Sequence, residues 1–160
     1  MPEGANGYDP SFKYDVAAHP GGENIKVCFS CGTCTAACPV TEVDPRYSPR
    51  KIIRQILLGH RQAVLSSELI WYCETCYVCS AYCPQNVKFG DVMRALREMA
   101  VAEGYFSGAF LQRIRNVDRL AHDIRLDLVR AALQTKDSAE PTSLEEAVPL
   151  VSQKVKGAQV

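Results

Sequence analysis

Two short stretches decide what this chain can fold around. "VCFSCGTCTAACPV" at residues 27–40 and "WYCETCYVCSAYCPQNV" at 71–87 each carry four cysteines in the order C-x2-C-x2-C-x3-C-P. Together they hold all eight cysteines of the 160 residues. Three thiolates at two-residue gaps can wrap three corners of one cube, while the fourth, ending the turn, points away from it. This is the bacterial-type iron–sulfur run, whose fourth cysteine serves the neighbouring cluster. The spacing therefore assigns Cys28, Cys31, Cys34 and Cys83 to one [4Fe–4S] cluster and Cys73, Cys76, Cys79 and Cys38 to another, with iron as the metal at all eight.

Other uses of eight cysteines fit less well. Zinc sites bring their ligands as two separated pairs, and two groups of three plus one suit a tetrahedral ion poorly. A Rieske-type centre needs histidine ligands, and His19, His60 and His122 lie away from both runs. The N-terminus lacks the basic and apolar regions of a signal peptide, and no run of eighteen apolar residues occurs, so the expected setting is cytoplasmic, without membrane insertion. In that reducing compartment a disulfide framework is not expected. Eighteen basic residues balance eighteen acidic ones, which argues against a nucleic-acid partner.

Between the ligands sit Ser30, Gly32, Thr33, Ala36 and Ala37, small or turn-tolerant residues that let backbone N–H groups approach the sulfurs. Pro39 and Pro84 lack an amide hydrogen and each can end its ligand loop. Phe29, Trp71, Tyr72, Tyr77 and Tyr82 are bulky enough to shield sulfur from water, or to lie in a docking surface. From Pro45 to Ser67 the chain carries Arg46, Arg50, Lys51, Arg54 and Arg61 and a basic stretch free of acids, either a solvated face or a counter-charge to anionic clusters.

The rest reads as helix. In "YSPRKIIRQILLGH", Ser48 can cap, Pro49 suits the first turn, and Ile52, Ile53, Ile56 and Leu57 share a face before Gly59 stops it. A second helix is expected around Gln62 to Tyr72, divisible at Ser66 and Ser67. After the second run, Asp91 is the expected cap of a helix carrying Val92, Leu96 and Met99 and stopped by Gly104. Helical register continues through Leu111, Ile114, Leu120, Ile124, Leu128 and Val129, with a break near Asn116 to Asp118. No window alternates as a strand does. The expectation is an all-α fold built around two [4Fe–4S] clusters, with additional C-terminal helices. Residues 1–24 are expected to form a flexible or partner-binding arm, 25–106 the cluster domain, 107–134 a helical extension and 135–160 a flexible tail.

"CFSCGTCTAACPV", the helical spacer "SPRKIIRQILLG" and "LIWYCETCYVCSAYCPQNV" followed by a helix resemble the C subunit of heterodisulfide reductase over residues 25–106. The resemblance implies an α-helical ferredoxin fold. It also implies an electron-transfer role between a flavin-containing iron–sulfur A subunit and a catalytic B subunit, within a hetero-oligomer. It carries over to the eight cysteines, with Pro39 and Pro84 after them. No Cys-Cys-Gly motif of the kind that marks the B subunit is present, no serine or cysteine nucleophile stands beside a base, and no residue is assigned a catalytic role. Two other classes share this unit: the iron–sulfur component of a succinate dehydrogenase-like or glycolate oxidase-like enzyme, and a freestanding ferredoxin carrier.

Overall fold

The computed structural model describes residues 8–134 and positions 149, 151, 152, 155 and 156; the tail expected over 135–160 lies largely outside the described residues. Those residues form helices and connecting turns, with no strand among them. No helix among them is long and apolar enough to cross a membrane. The chain divides into two compact units, one ending at Ser107 and one beginning at Gly108.

In the first unit the order is α1 (Phe12–Ala18), a 3-10 turn (Glu23–Val27), α2 (Thr33–Ala36), α3 (Pro39–Val43), α4 (Pro49–Leu58), α5 (Arg61–Leu65), a second 3-10 turn (Glu68–Trp71), α6 (Val78–Ala81) and α7 (Phe89–Ala102). Helices α4 and α7 supply most of the core. α4 buries Ile52, Ile53 and Ile56 and stops at Gly59, which is left-handed at φ +84°. No side chain but hydrogen could stand there, because a Cβ would lie 2.4 Å from the Asp9 carbonyl oxygen. The expected division at Ser66 and Ser67 is present, and the Ser67 hydroxyl accepts from the Leu69 N–H at 3.2 Å to start the second 3-10 turn.

α7 begins earlier than expected. Lys88, left-handed at φ +53°, precedes the first turn, and Asp91 sits within it. The Asp91 carboxylate is not a cap: it accepts from the Tyr77 hydroxyl at 3.0 Å and from Arg94 at 2.9 Å. Buried Phe89 and Gly90 draw the helix start inward, against the second cysteine run.

Residues 8–24 also differ from the expected arm, since α1 packs against α4, α7 and the first 3-10 turn, and its Phe12 and Val16 are fully buried. Each such side chain contributes about 1.5–3 kcal/mol, whereas ordering the backbone costs about 1–2 kcal/mol per residue. The segment needs further anchors. Asp9 donates its N–H to the Gly59 carbonyl at 2.7 Å. The Arg61 guanidinium reaches Asp9 at 2.9 Å, Asp15 at 2.6 Å and Glu103 at 2.6 Å, tying the N-terminal segment and α1 to α5 and the end of α7.

The second unit contributes α8 (Gly108–Gln134), unbroken through Asn116 to Asp118. Gln112 donates its side-chain amide to the Asn116 side-chain oxygen at 3.2 Å, one turn on, so Asn116 finds its partner without leaving the helix. Its apolar positions Leu111, Ile114, Leu120, Ile124 and Leu128 are half-buried.

Replacing Arg61 leaves three carboxylates without their common partner. Because the cluster is partly solvated, Arg61→Ala is expected to cost about 1–2 kcal/mol, read as a thermal midpoint several degrees lower at pH 7. The Ser11 hydroxyl, first, and then the Arg61 interactions hold the Asp9 carboxyl below its ordinary range against the effect of burial. Asp9's contribution is therefore present at neutral pH and lost as pH falls from about 4 through the depressed folded value. The Arg61→Ala deficit is expected to narrow in acid.

Candidate iron–sulfur centre

The two cysteine runs adopt the same backbone twice. Cys28 and Cys73, like Cys38 and Cys83, are 45 residues apart, and the positions between them match in conformation. Ser30 and Thr75 are left-handed at φ +57° and +52°, and Gly32 and Tyr77 at +89° and +59°. Each pair is followed by one short helix, α2 or α6. Left-handed turns reverse the chain between successive cysteines and aim N–H groups inward. The Ser30 N–H points at the Cys28 sulfur at 3.4 Å, and the Val87 N–H at the Cys83 sulfur at 3.4 Å.

Gly32 holds its conformation freely; Tyr77 does so at a cost of roughly 1–2 kcal/mol. Its ring lies over Gly90, where a Cβ would come 3.1 Å from it, and its hydroxyl bonds Asp91. These contacts hold the second loop in the shape that glycine gives the first.

Helices α2 and α6 pack on each other, α2 on α4 and α6 on α7, so the runs meet face to face. Two cavities open between them. One is lined by Cys28, Cys31, Cys34 and Cys83, with Gly32, Arg50, Ile53, Val87 and Phe89. The other is lined by Cys38, Cys73, Cys76 and Cys79, with Val40, Tyr47, Glu74, Phe89 and Gly90. Cys79 also touches the first. The first cavity thus gathers three cysteines of the first run with Cys79 and Cys83 of the second, and the second cavity gathers Cys73, Cys76 and Cys79 with Cys38 from the first run. Their electrostatic neighbours agree: Cys34 feels Cys28, Cys31 and Cys83, while Cys73 feels Cys38.

All eight cysteines are free thiols, and the second of each run, Cys31 and Cys76, is exposed. Burial pushes up the Cys34 and Cys73 thiols, and takes Cys79 to about 11. The Thr33 hydroxyl, first, and its N–H hold Cys31 down. Iron binds thiolate, so loading displaces these protons.

Sequence reasoning overlooked three residues here. Tyr47 is 1 % exposed and its phenol, pushed up by burial first, is hydrogen-bonded to Cys73. Arg97 on α7 is 6 % exposed and donates to the carbonyls of Ile70 at 2.9 Å, Trp71 at 3.3 Å and Cys73 at 2.5 Å. Thr35 accepts the Arg50 N–H at 2.9 Å and lies 3.4 Å from the Ser48 hydroxyl, so the first run caps α4, and Ser48 makes no cap of its own. None carries a motif, and only position within the fold identifies them.

Of the aromatics, Trp71 is buried, whereas Phe29, Tyr77 and Tyr82 are exposed beside the cysteines they adjoin. The basic stretch is not uniform. Arg46 pairs with Asp44, Arg61 is the hub already described, and Arg50 lies against Gly32 at the mouth of the first cavity. His60 packs against the Tyr8 ring and the His122 ring meets the Asp118 carbonyl, and neither is among the residues that line the cavities.

The chain matches the family described as a 4Fe-4S dicluster domain over residues 24–87. It is similar to the iron–sulfur C subunit of the CoB–CoM heterodisulfide reductase of Methanopyrus kandleri, 33% identical over 138 residues, which cover 83% of this chain and 71% of that protein. It is also similar to the iron–sulfur C 2 subunit of the CoB–CoM heterodisulfide reductase of Methanocaldococcus jannaschii, 39% identical over 102 residues, 64% of this chain and 54% of that protein. The C subunit of the H(2):CoB–CoM heterodisulfide,ferredoxin reductase of Methanothermobacter marburgensis is 38% identical over 101 residues, 63% of this chain and 54% of that protein. The chain spans about half the length of the last two relatives. Eight soft thiolate donors in a dicluster domain, set around two cavities with inward N–H groups, fit two [4Fe–4S] clusters.

Thr35→Val keeps the shape of the side chain and removes the acceptor for the Arg50 N–H. It is expected to destabilise α4 by about 1 kcal/mol, measured as a lower urea midpoint of the cluster-loaded protein with an unchanged slope.

Proposed function

The chain belongs to the heterodisulfide reductase C-subunit family, and on that basis we propose that it relays single electrons through two [4Fe–4S] clusters inside a larger complex. The observation that carries this reading is that each cavity joins three cysteines of one run to the last cysteine of the other, Cys83 in the first and Cys38 in the second, with Cys79 bordering both. On it, Cys28, Cys31, Cys34 and Cys83 hold the first cluster and Cys38, Cys73, Cys76 and Cys79 the second, within an α-helical ferredoxin fold. Bound there, the clusters supply one-electron redox chemistry.

The protein's own residues fix the sites and exclude water. Buried Phe89 borders both cavities, and Ile53 and Val87 close the inner side of the first. N–H groups and the Tyr47 hydroxyl stabilise negative charge on sulfur. The exposed Cys31 and Cys76 put one edge of each site near the surface, where electrons can enter and leave. The names of the relatives, each the C subunit of a heterodisulfide reductase, support a hetero-oligomer; in this reading a flavin-containing A subunit and a catalytic B subunit flank this chain.

Paired substitutions test the ligand sets. In protein loaded without oxygen, the native chain is expected to hold about eight iron and eight sulfide, with coupled EPR signals after reduction. Cys31→Ser with Cys83→Ser strikes one cluster and should retain about four iron; Cys31→Ser with Cys38→Ser strikes both and should retain almost none. The reverse pattern would show that each run ligates its own cluster. Zinc, or a single cluster in the native chain, would end the relay reading.

A further inference from the structure

Arg97 is the one charged side chain buried among the described residues. On α7 it stands at the turn spacing of Met93 and Ala100, both buried, so it belongs to the core face of the helix. Among the described residues no carboxylate pairs with it; its guanidinium instead serves the carbonyls of Ile70, Trp71 and Cys73 and lies 5.7 Å from the Trp71 ring centre. A buried guanidinium stays protonated, and leaving it without a counter-charge is costly. Through the Cys73 carbonyl it is fixed beside the second sulfur set, and its charge acts on the Cys73 sulfur.

The first cavity has no equivalent. Its cation, Arg50, is exposed at the mouth, where water and salt screen it. At equal distance, a charge in the protein's effective dielectric acts about fourfold more strongly than one in bulk water. Glu74, on the rim of the second cavity, is likewise exposed and weakened. Both sites receive backbone N–H donors: Ser30 and Val87 serve the first, Thr75 and Gly90 the second. Only the second adds a buried phenol, from Tyr47, and a buried cation.

We propose that Arg97, assisted by Tyr47, gives the cluster at Cys38, Cys73, Cys76 and Cys79 the higher reduction potential of the two, so that an electron shared within the chain rests there. Taking up an electron adds negative charge to an already anionic group, and a fixed interior cation stabilises that added charge. One electron is exchanged, no covalent bond forms or breaks, and Arg97 neither gains nor loses a proton. The gradient runs from the first site to the second. This rests on the two-cluster reading above.

The test is an EPR-monitored redox titration of the full chain, loaded without oxygen and assayed for iron and sulfide first. Arg97→Gln keeps amide donors but removes the charge; Arg97→Lys keeps the charge. Arg97→Gln is expected to shift the higher-potential step at least tenfold toward the oxidised state, which is about 59 mV for one electron, and to move the lower step less. Arg97→Lys should stay within about threefold of the native value, and Tyr47→Phe should lower the same step by a smaller factor. A merely structural role would make Lys and Gln equivalent.

The order of the sites is read directly in two single-site proteins that keep Arg97. Cys31→Ser with Cys83→Ser leaves the second site, Cys38→Ser with Cys76→Ser leaves the first, and the second is expected to be reduced at the higher potential. The inference is overturned if the first site is the higher, or if Arg97→Gln moves only the lower step or neither. If Arg97→Gln cannot hold its clusters, the single-site comparison and Tyr47→Phe decide. Iron that fails to come at about eight, or at about four in the single-site proteins, indicts the two-cluster reading instead.

Discussion

Negative charge at the centre of a small protein is the condition to which the rest of this structure answers. Eight thiolates gathered around two adjacent sites repel one another and resist leaving water, and burial alone pushes several of the thiols upward. Every nearby device opposes that cost. Left-handed turns aim N–H groups at sulfur, Tyr47 offers a phenol, and Arg97 brings a cation into the interior. The apolar faces of α4 and α7 then close around the sites and keep these dipoles undiluted by solvent.

The same logic explains why the repeat is faithful in backbone and loose in sequence. A left-handed residue is needed between the second and third cysteine of each run; the first run meets it with Gly32, the second with Tyr77, braced by Gly90 and Asp91. The brace has a structural use of its own, because it locks the start of α7 onto the second loop, as Thr35 locks the start of α4 onto the first. Each cysteine loop is thereby fastened to the long helix that follows it.

Much of this is legible in the amino-acid sequence. The cysteine spacing identified the cofactor type, α4 followed from its apolar period and its Pro and Gly boundaries, and the serine pair divided the second helix where expected. What escaped were features defined by distant partners. α1 is only seven residues long, with two buried side chains, too short for a periodic signal, and it is held by Arg61 and by the approach of Asp9 to Gly59. Asp91 looked like a cap until Tyr77 was seen to occupy it, and Asn116 looked like a break until Gln112 was found beside it. Arg97 sat in what reads as an ordinary charged helix, where nothing local distinguishes a buried arginine from a solvated one.

The crossed ligand sets proposed above also bear on how the protein is made, and the timing of its assembly follows from those sets. Cys83 leaves the ribosome 49 residues after Cys34, the third cysteine of the first run, roughly 2–10 s later at ordinary elongation rates of about 5–20 residues per second. Throughout that interval the first three sulfurs face each other without their fourth. The second set is completed by Cys79, only four residues before Cys83 completes the first. Neither site can close early. Both become competent almost together, while α7 is still to be made, so iron and sulfide are delivered to a part-made chain and to two sites at once.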